Sequence, residues 1–235
     1  MKKIQVIAHR AATHPATEHT LAAYDWFVEK GVNFIELDVR QSADGVFFVF
    51  RDEDLLRMTG LNRPFHDTDS SLIRTLDTGR DYPEESAHQR IPLLEEVLDR
   101  YADKISFYFD VKEGTDDDAL ISLLKNFKVR EDSFFWFEDT DQEWRFYHKY
   151  PYMRIKKNVE NFSDMDKILR RYRPDIVESG YEKCCGILGD FCRRRSIQLM
   201  IHENEFREDD SLIRNPSGIS YLNTKEPVKW AEFLS

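Results

Sequence analysis

Short runs rich in β-branched and aromatic residues alternate with amphipathic stretches along almost the whole chain, and this alternation constrains the fold more than any other feature. It predicts strands at 4–10, 33–40, 45–51, 105–112, 132–138, 152–156, 174–178, 197–203 and 217–223. Helices fit near 19–30, closed by Gly31, and near 92–103, with Pro92 in the first turn. Others fit near 116–127, 140–149, 163–172, 181–195 and 226–234. A strand, helix, strand order implies parallel strands joined by helical crossovers, which is α/β architecture.

Eight such strands close a (β/α)8 barrel, and 235 residues suit one domain of that kind. The expectation is a single, somewhat irregular TIM barrel over residues 1–235. Nine strand candidates leave one terminal or accessory strand, which the sequence does not single out. The link "RQSADG" after residue 39 is too short for a helix, so that crossover is expected to be irregular. The segment at about 52–90 lacks periodicity and carries Gly, Pro, Asp and Ser clusters; it reads as an excursion over the barrel mouth.

Composition narrows the functional classes. A formal charge of −10 opposes a phosphate backbone, so no nucleic-acid partner is expected. The dense basic runs "RRYR" and "RRR" fall near predicted helix ends, where the helix dipole favours cations. No stretch reaches the roughly 18 apolar residues of a membrane span. The start of the chain does not read as a secretion signal, and Cys184, Cys185 and Cys192 lack a histidine at ligand spacing. A cytoplasmic setting, with buried thiols on a core helix, is the expectation.

In a parallel barrel the working groups come from the C-terminal ends of strands. Here those ends are polar: His9 and Arg10, Glu36 and Asp38, Arg51 and Asp52, Asp110 and Lys112. Side chains two apart share a face, so Glu36 and Asp38 point one way and Ile35, Leu37 and Val39 the other. "ISFYFDVK" repeats the device, with Ser106, Tyr108, Asp110 and Lys112 on one face and Phe107, Phe109 and Val111 on the other. The apolar sets are expected under helices and the polar sets inside the mouth.

Clustered carboxylates repel one another unless a cation joins them, and hard oxygen donors suit Mg²⁺ or Ca²⁺. The alternative, left open here, is that each acid pairs with a neighbouring Arg or Lys. His9 is either a structural residue or a general acid/base. Arg10, Arg51 and Lys112 supply positive charge for an anion such as phosphate, or pair with the same acids. Glu178, His202 and Glu203 end late strands and give weaker signals. His66 and His88 read as surface residues, while His14 and His19 follow the first strand, where His19 helps begin a helix.

Taken in order, "AHRAATHPATEHTLAAYDWFVEKGVNFIELDVRQSADGVFFVFRDEDLLRMTG", "DTDSSLIRTLDTG", "IPLLEEVL", "FYFDVK" and "YLNTKEP" resemble the landmarks of the glycerophosphodiester phosphodiesterase family. The resemblance spans nearly the whole chain. It implies a TIM barrel, a divalent cation (Mg²⁺ or Ca²⁺) and hydrolysis of a small-molecule phosphodiester to an alcohol and a phosphomonoester. It also implies that Glu36 and Asp38 match the metal-binding pair, with Asp110 where the family usually has a third glutamate. His9 matches the first catalytic histidine, Arg10 and Lys112 phosphate contacts, and Glu18 the acid of a Glu-Asn-Thr motif.

The departures from the family pattern are Ala11 for a glycine, His19 for an asparagine, Lys225 for the closing aspartate, and Arg51 for the second catalytic histidine. An arginine cannot exchange a proton at neutral pH, although it can hold a phosphate. The resemblance therefore implies a metal-dependent phosphodiesterase with altered chemistry. The alternatives are a phosphate-binding protein without turnover and a lyase that forms a cyclic phosphate.

Overall fold

The computed structural model describes residues 4–10, 17–78, 88–180, 187–202 and 218–234. Nine strands run in chain order: β1 (Gln5–Ala8), β2 (Phe34–Gln41), β3 (Phe47–Val49), β4 (Ser106–Val111), β5 (Phe134–Phe137), β6 (Lys156–Asn158), β7 (Ile176–Glu178), β8 (Gln198–His202) and β9 (Ile219–Thr224). All but β3 lie in one parallel path of order β5-β4-β2-β1-β9-β8-β7-β6. Its two ends meet through the parallel bridge Phe135↔Ile155, with the Phe135 amide donating to the Arg154 carbonyl at 2.9 Å. The fold is thus a (β/α)8, or TIM, barrel.

The accessory strand is β3, which pairs antiparallel with β2 in the register Val39↔Val49. This corrects the expected irregular crossover: the short link can turn the chain back only as a hairpin. Gly45, at φ +84°, supplies the left-handed residue of that turn. Arg51 therefore descends beside β2, near Asp38, whose carbonyl accepts the Phe50 amide at 2.9 Å. It does not stand at the upper end of a barrel strand.

The outer face of the sheet packs under helices. Ile35, Leu37, Val39, Phe107, Phe109 and Val111 join Ala23 and Phe27 of α1 (Leu21–Glu29) in one core. Leu98 and Leu120, from two helices further along the chain, fill the same layer. Thr20 caps α1 by accepting the Ala23 amide at 3.3 Å, and Gly31, at φ +80°, lies just past its end.

The excursion carries two short helices, α2 (Leu56–Thr59) and α3 (Ser70–Ile73). It buries Leu55, Met58, Phe65 and Ile73 against Phe48 and Phe50, a small core of its own built on β3. Residues 79–87 of it lie outside the described residues.

Six further helices complete the described elements: α4 (Leu94–Tyr101), α5 (Asp117–Leu124), α6 (Thr140–Lys149), α7 (Phe162–Arg171), α8 (Ile187–Arg194) and α9 (Pro227–Phe233). Pro92 precedes α4, whose N-cap is Leu93, so it is not in the first turn as expected. The sixth strand is also shifted. Residues 151–153 form a turn, and pairing with β7 begins at Lys156. The two basic runs do fall at helix ends, Arg170 and Arg171 closing α7, Arg193 and Arg194 closing α8. Cys192 is buried on α8, whereas Cys184, Cys185, His14, Ala11 and Glu203 lie outside the described residues.

No helix of the described residues is long and apolar enough to cross a membrane.

Candidate active site

The barrel interior is layered. Ile7, Phe34, Tyr108, Phe134, Ile176, Met200 and Tyr221 form an apolar plug, with the Tyr108 and Phe134 rings stacked at 4.8 Å. Two residues further along each of those strands, the same inward face turns polar or wet-tipped: His9, Glu36, Asp110, Trp136, Glu178, His202 and Asn223. Lys156 adds the contribution of β6. The period of two thus puts one inward side chain from every parallel strand at one mouth.

Glu36, Asp38 and Asp110 are buried, and each offers an oxygen within 4.8 Å of the others'. Lys112 Nζ lies 2.6 Å from Asp38 Oδ1 and 2.7 Å from Asp110 Oδ1. The ion-pair arrangement left open by the sequence is therefore present for two of the three acids. Glu36 is different: its buried Oε2 accepts no hydrogen bond from the described residues, and His9 Nε2 stands 3.3 Å away.

The electrostatics follow this unequal pairing. Burial first, then the charges of Asp38 and Asp110, drive Glu36 well above the usual carboxylate range. Burial and Asp38 push Asp110 up to about 6, against the pull of Lys112. Burial would raise Asp38 too, but the hydrogen bond and charge of His19 and the charge of Lys112 outweigh it and hold Asp38 below its ordinary value. Three buried hard carboxylates this close together fit Mg²⁺ or Ca²⁺.

His9 is buried with its Nδ1 bonded to no described residue. Burial, followed by His202 and Arg10, lowers its pKa from the ordinary histidine value. Its ring meets that of His202 edge to face, centroids 4.5 Å apart. Arg10 Nε lies 3.7 Å from Asp38 Oδ2.

The residue that sequence reasoning undervalued is His19. It does precede α1, but its Nε2 lies 2.6 Å from Asp38 Oδ2 and its Nδ1 2.8 Å from the Tyr24 hydroxyl, all buried. Both Arg10 (φ 56°) and His19 (φ 55°) adopt left-handed backbone, which is costly for such residues, and the His19 amide donates to the Arg10 carbonyl at 3.0 Å. Three hydrogen bonds keep His19 in that conformation. The sequence signal was only its place directly after the motif acid Glu18.

Glu18 pairs with Arg57 of α2, which also reaches Asp52 Oδ2 at 2.6 Å. Arg57 therefore straps the excursion to the barrel, a role not expected from the sequence. Arg51 lines a small cavity with Glu18, His19 and Met58, and among the described residues its side chain makes no hydrogen bond or ion pair.

On the far side of the mouth, buried Lys156 pairs with Glu178 and stands 4.9 Å over the Tyr108 ring and 5.1 Å over that of Trp136. The other oxygen of Glu178 lies 3.7 Å from His202 Nδ1. Lys156 was missed because "KKN" reads as a polar surface run. Asn223, also missed, is buried with its Oδ1 bonded to no described residue. His66 is exposed beside Asp67, and His88 beside Asp77, both away from the acids.

A TIM barrel with three buried acids, a lysine and histidines at one mouth belongs among barrel proteins suited to holding a cation with a phosphate. The sequence model of the glycerophosphoryl diester phosphodiesterase family matches residues 9–167, and the chain belongs to that family. A glycerophosphodiester phosphodiesterase of Bacillus subtilis is 33% identical over 137 residues, covering 53% of this chain and 47% of the relative. Glycerophosphodiester phosphodiesterase 1 of Rattus norvegicus is 31% identical over 127 residues, covering 53% of this chain and 38% of its own. The chain spans about half the length of the Bacillus relative. The crystal structure of a glycerophosphodiester phosphodiesterase from Agrobacterium tumefaciens superposes with a TM-score of 0.85 at 26% identity, covering 97% of this chain and 99% of that one. An Oleispira antarctica phosphodiesterase, solved with the product sn-glycerol-3-phosphate, shares the fold at a TM-score of 0.80 and 18% identity, covering 99% of this chain and 97% of that one.

Proposed function

We propose that this chain is a divalent-cation-dependent phosphodiesterase that hydrolyses a glycerophosphodiester-like small molecule to an alcohol and a phosphomonoester. The observation that carries the reading is the trio of buried acids within 4.8 Å of one another, whose member Glu36 has no hydrogen bond on Oε2 among the described residues. Glu36, Asp38 and Asp110 would hold Mg²⁺ or Ca²⁺, and when bound the cation neutralises charge on a phosphoryl oxygen. The activity for which the Bacillus and Rattus relatives are named points the same way.

The chain's own groups divide the remaining work. Lys112 ties Asp38 to Asp110 and keeps a positive charge at the mouth. Arg10 and Arg51 offer guanidinium groups to the phosphate, which they recognise in a planar, two-pronged fashion. His9, beside Glu36, takes a proton from the attacking hydroxyl. Glu18 acts on the substrate side through Arg57, holding the excursion against the barrel.

The test is incubation with a panel of glycerophosphodiesters and lysophospholipids in Mg²⁺, Ca²⁺ or EDTA, followed by phosphorus NMR. A linear phosphomonoester that appears only with metal is the expected product. A cyclic phosphate would identify a lyase, and binding of the diesters without any product would identify a binding protein.

A further inference from the structure

The family pattern places a second proton carrier where this chain has Arg51, yet the mouth holds a second imidazole. We propose that His202, at the end of β8, is the catalytic general acid of this site, and that the proton-transfer pair is His9 with His202. The inference rests on the phosphodiesterase reading above.

Four observations carry it. The two rings meet edge to face with centroids 4.5 Å apart, so a group that reaches one is within reach of the other. His202 lies two residues beyond Met200 of the apolar plug, on the inward face that also delivers His9, Glu36 and Asp110. Glu178 Oε1 stands 3.7 Å from Nδ1, and Glu178 is itself anchored by buried Lys156. A carboxylate on one imidazole nitrogen fixes the orientation of the ring, the arrangement seen where histidine moves protons in hydrolytic sites. Finally, the side chain of His202 is 32% accessible, against 8% for His9.

That last contrast assigns the roles. His9 is deep, against Glu36 and the acid trio, on the side where the nucleophile is activated. His202 is at the opening, where a departing alcohol leaves for solvent. In the step, the nucleophile's oxygen forms a bond to phosphorus while His9 accepts its proton. The bond from phosphorus to the alcohol oxygen breaks, its electron pair stays on that oxygen, and His202 donates the proton that converts the alkoxide to the alcohol. A proton passing from His9 to His202, directly or through water, restores both. The same account serves water or a substrate hydroxyl as nucleophile, with a linear or a cyclic phosphate as product. Arg51 is thereby released from proton transfer and left as a positive group near the phosphate.

The experiment compares two diesters of glycerol phosphate, one with an alkyl alcohol and one with 4-nitrophenol, a leaving group that needs no proton. Wild type, His202→Ala and His202→Gln are assayed, with folding of each variant verified by its thermal transition. The expected result is a loss of about 10²- to 10⁴-fold in kcat for the alkyl diester in both variants, a loss at least about tenfold smaller for the nitrophenyl diester, and partial recovery of the alkyl rate of His202→Ala by added imidazole. Equal losses on both diesters, or no loss on either, overturn the assignment while leaving the phosphodiesterase reading intact. Failure of the wild type on both diesters sinks that reading and this role with it.

Discussion

His19 Nε2 lies 2.6 Å from Asp38 Oδ2, and the same imidazole reaches the Tyr24 hydroxyl through Nδ1 at 2.8 Å. A left-handed, buried histidine thus fixes the rotation of one of the three clustered acids. Partners of this kind typically change metal affinity by about 10- to 100-fold. His19→Ala is expected to weaken Mg²⁺ or Ca²⁺ binding by that factor. His19→Asn, which tolerates left-handed backbone and can still donate to a carboxylate, should lose less. Calorimetric metal titration of both variants checks the order; equal affinity in wild type and His19→Ala contradicts it.

Arg51 offers a guanidinium with no partner among the described residues, in a cavity it shares with His19 and Glu18. If it contacts phosphate and moves no proton, its loss weakens substrate binding more than turnover. Arg51→Ala is expected to raise KM about tenfold, in keeping with a charge-assisted hydrogen bond of about 1.5–3 kcal/mol, with a smaller change in kcat. Steady-state kinetics decide this, and a fall confined to kcat would show a role in the chemical step.

Glu178 connects Lys156 to His202 and is displaced from its ordinary range. Burial alone would raise it, but Lys156, followed by His202, outweighs that and brings it down to about 2, from a usual 4.5. A depressed carboxylate stabilises the fold above its unfolded value, and that stabilisation drains away as pH falls from about 4.5 toward 2. Glu178→Gln leaves Lys156 buried without its counter-charge, a loss of about 3–5 kcal/mol for pairs of this sort. Denaturation of wild type and variant should therefore differ most near pH 6 and converge as pH falls to about 2. A gap of constant size across that range would contradict the pairing.

The sheet was legible wherever one face alternated cleanly. In β2 and β4 the sequence separates the residues under helices from those facing inward, and the structure keeps that division, but of the inward set in β4 only Asp110 and Lys112 reach the mouth: Tyr108 lies in the apolar plug and Ser106 bonds Asp132. Strand direction was not legible for β3, because periodicity is the same in parallel and antiparallel strands; only the length of the link distinguished them. The β6 register failed for another reason. "YMRIK" supplies the apolar pattern, but residues 151–153 turn, and the paired segment is a lysine-rich run that looks exposed. Lys156 can be buried there because Glu178, Tyr108 and Trp136 surround it, partners contributed by three other strands. His19 was obscured likewise: its neighbours in sequence suggest a helix start, while its bond to Asp38 spans nineteen positions of the chain.

The central claim is that the acids of β2 and β4 make turnover depend on a divalent cation. The most direct measurement is the rate of choline release from glycerophosphocholine by EDTA-treated protein, before and after Mg²⁺ or Ca²⁺ is restored, for wild type and Glu36→Ala. The account predicts no turnover in EDTA, recovery of the wild type with metal, and a Glu36→Ala rate that stays roughly 10³-fold lower at the same metal concentration, the scale of losing one electrostatic contact to the developing charge. Undiminished release in EDTA, or a Glu36→Ala protein as fast as wild type, would contradict it.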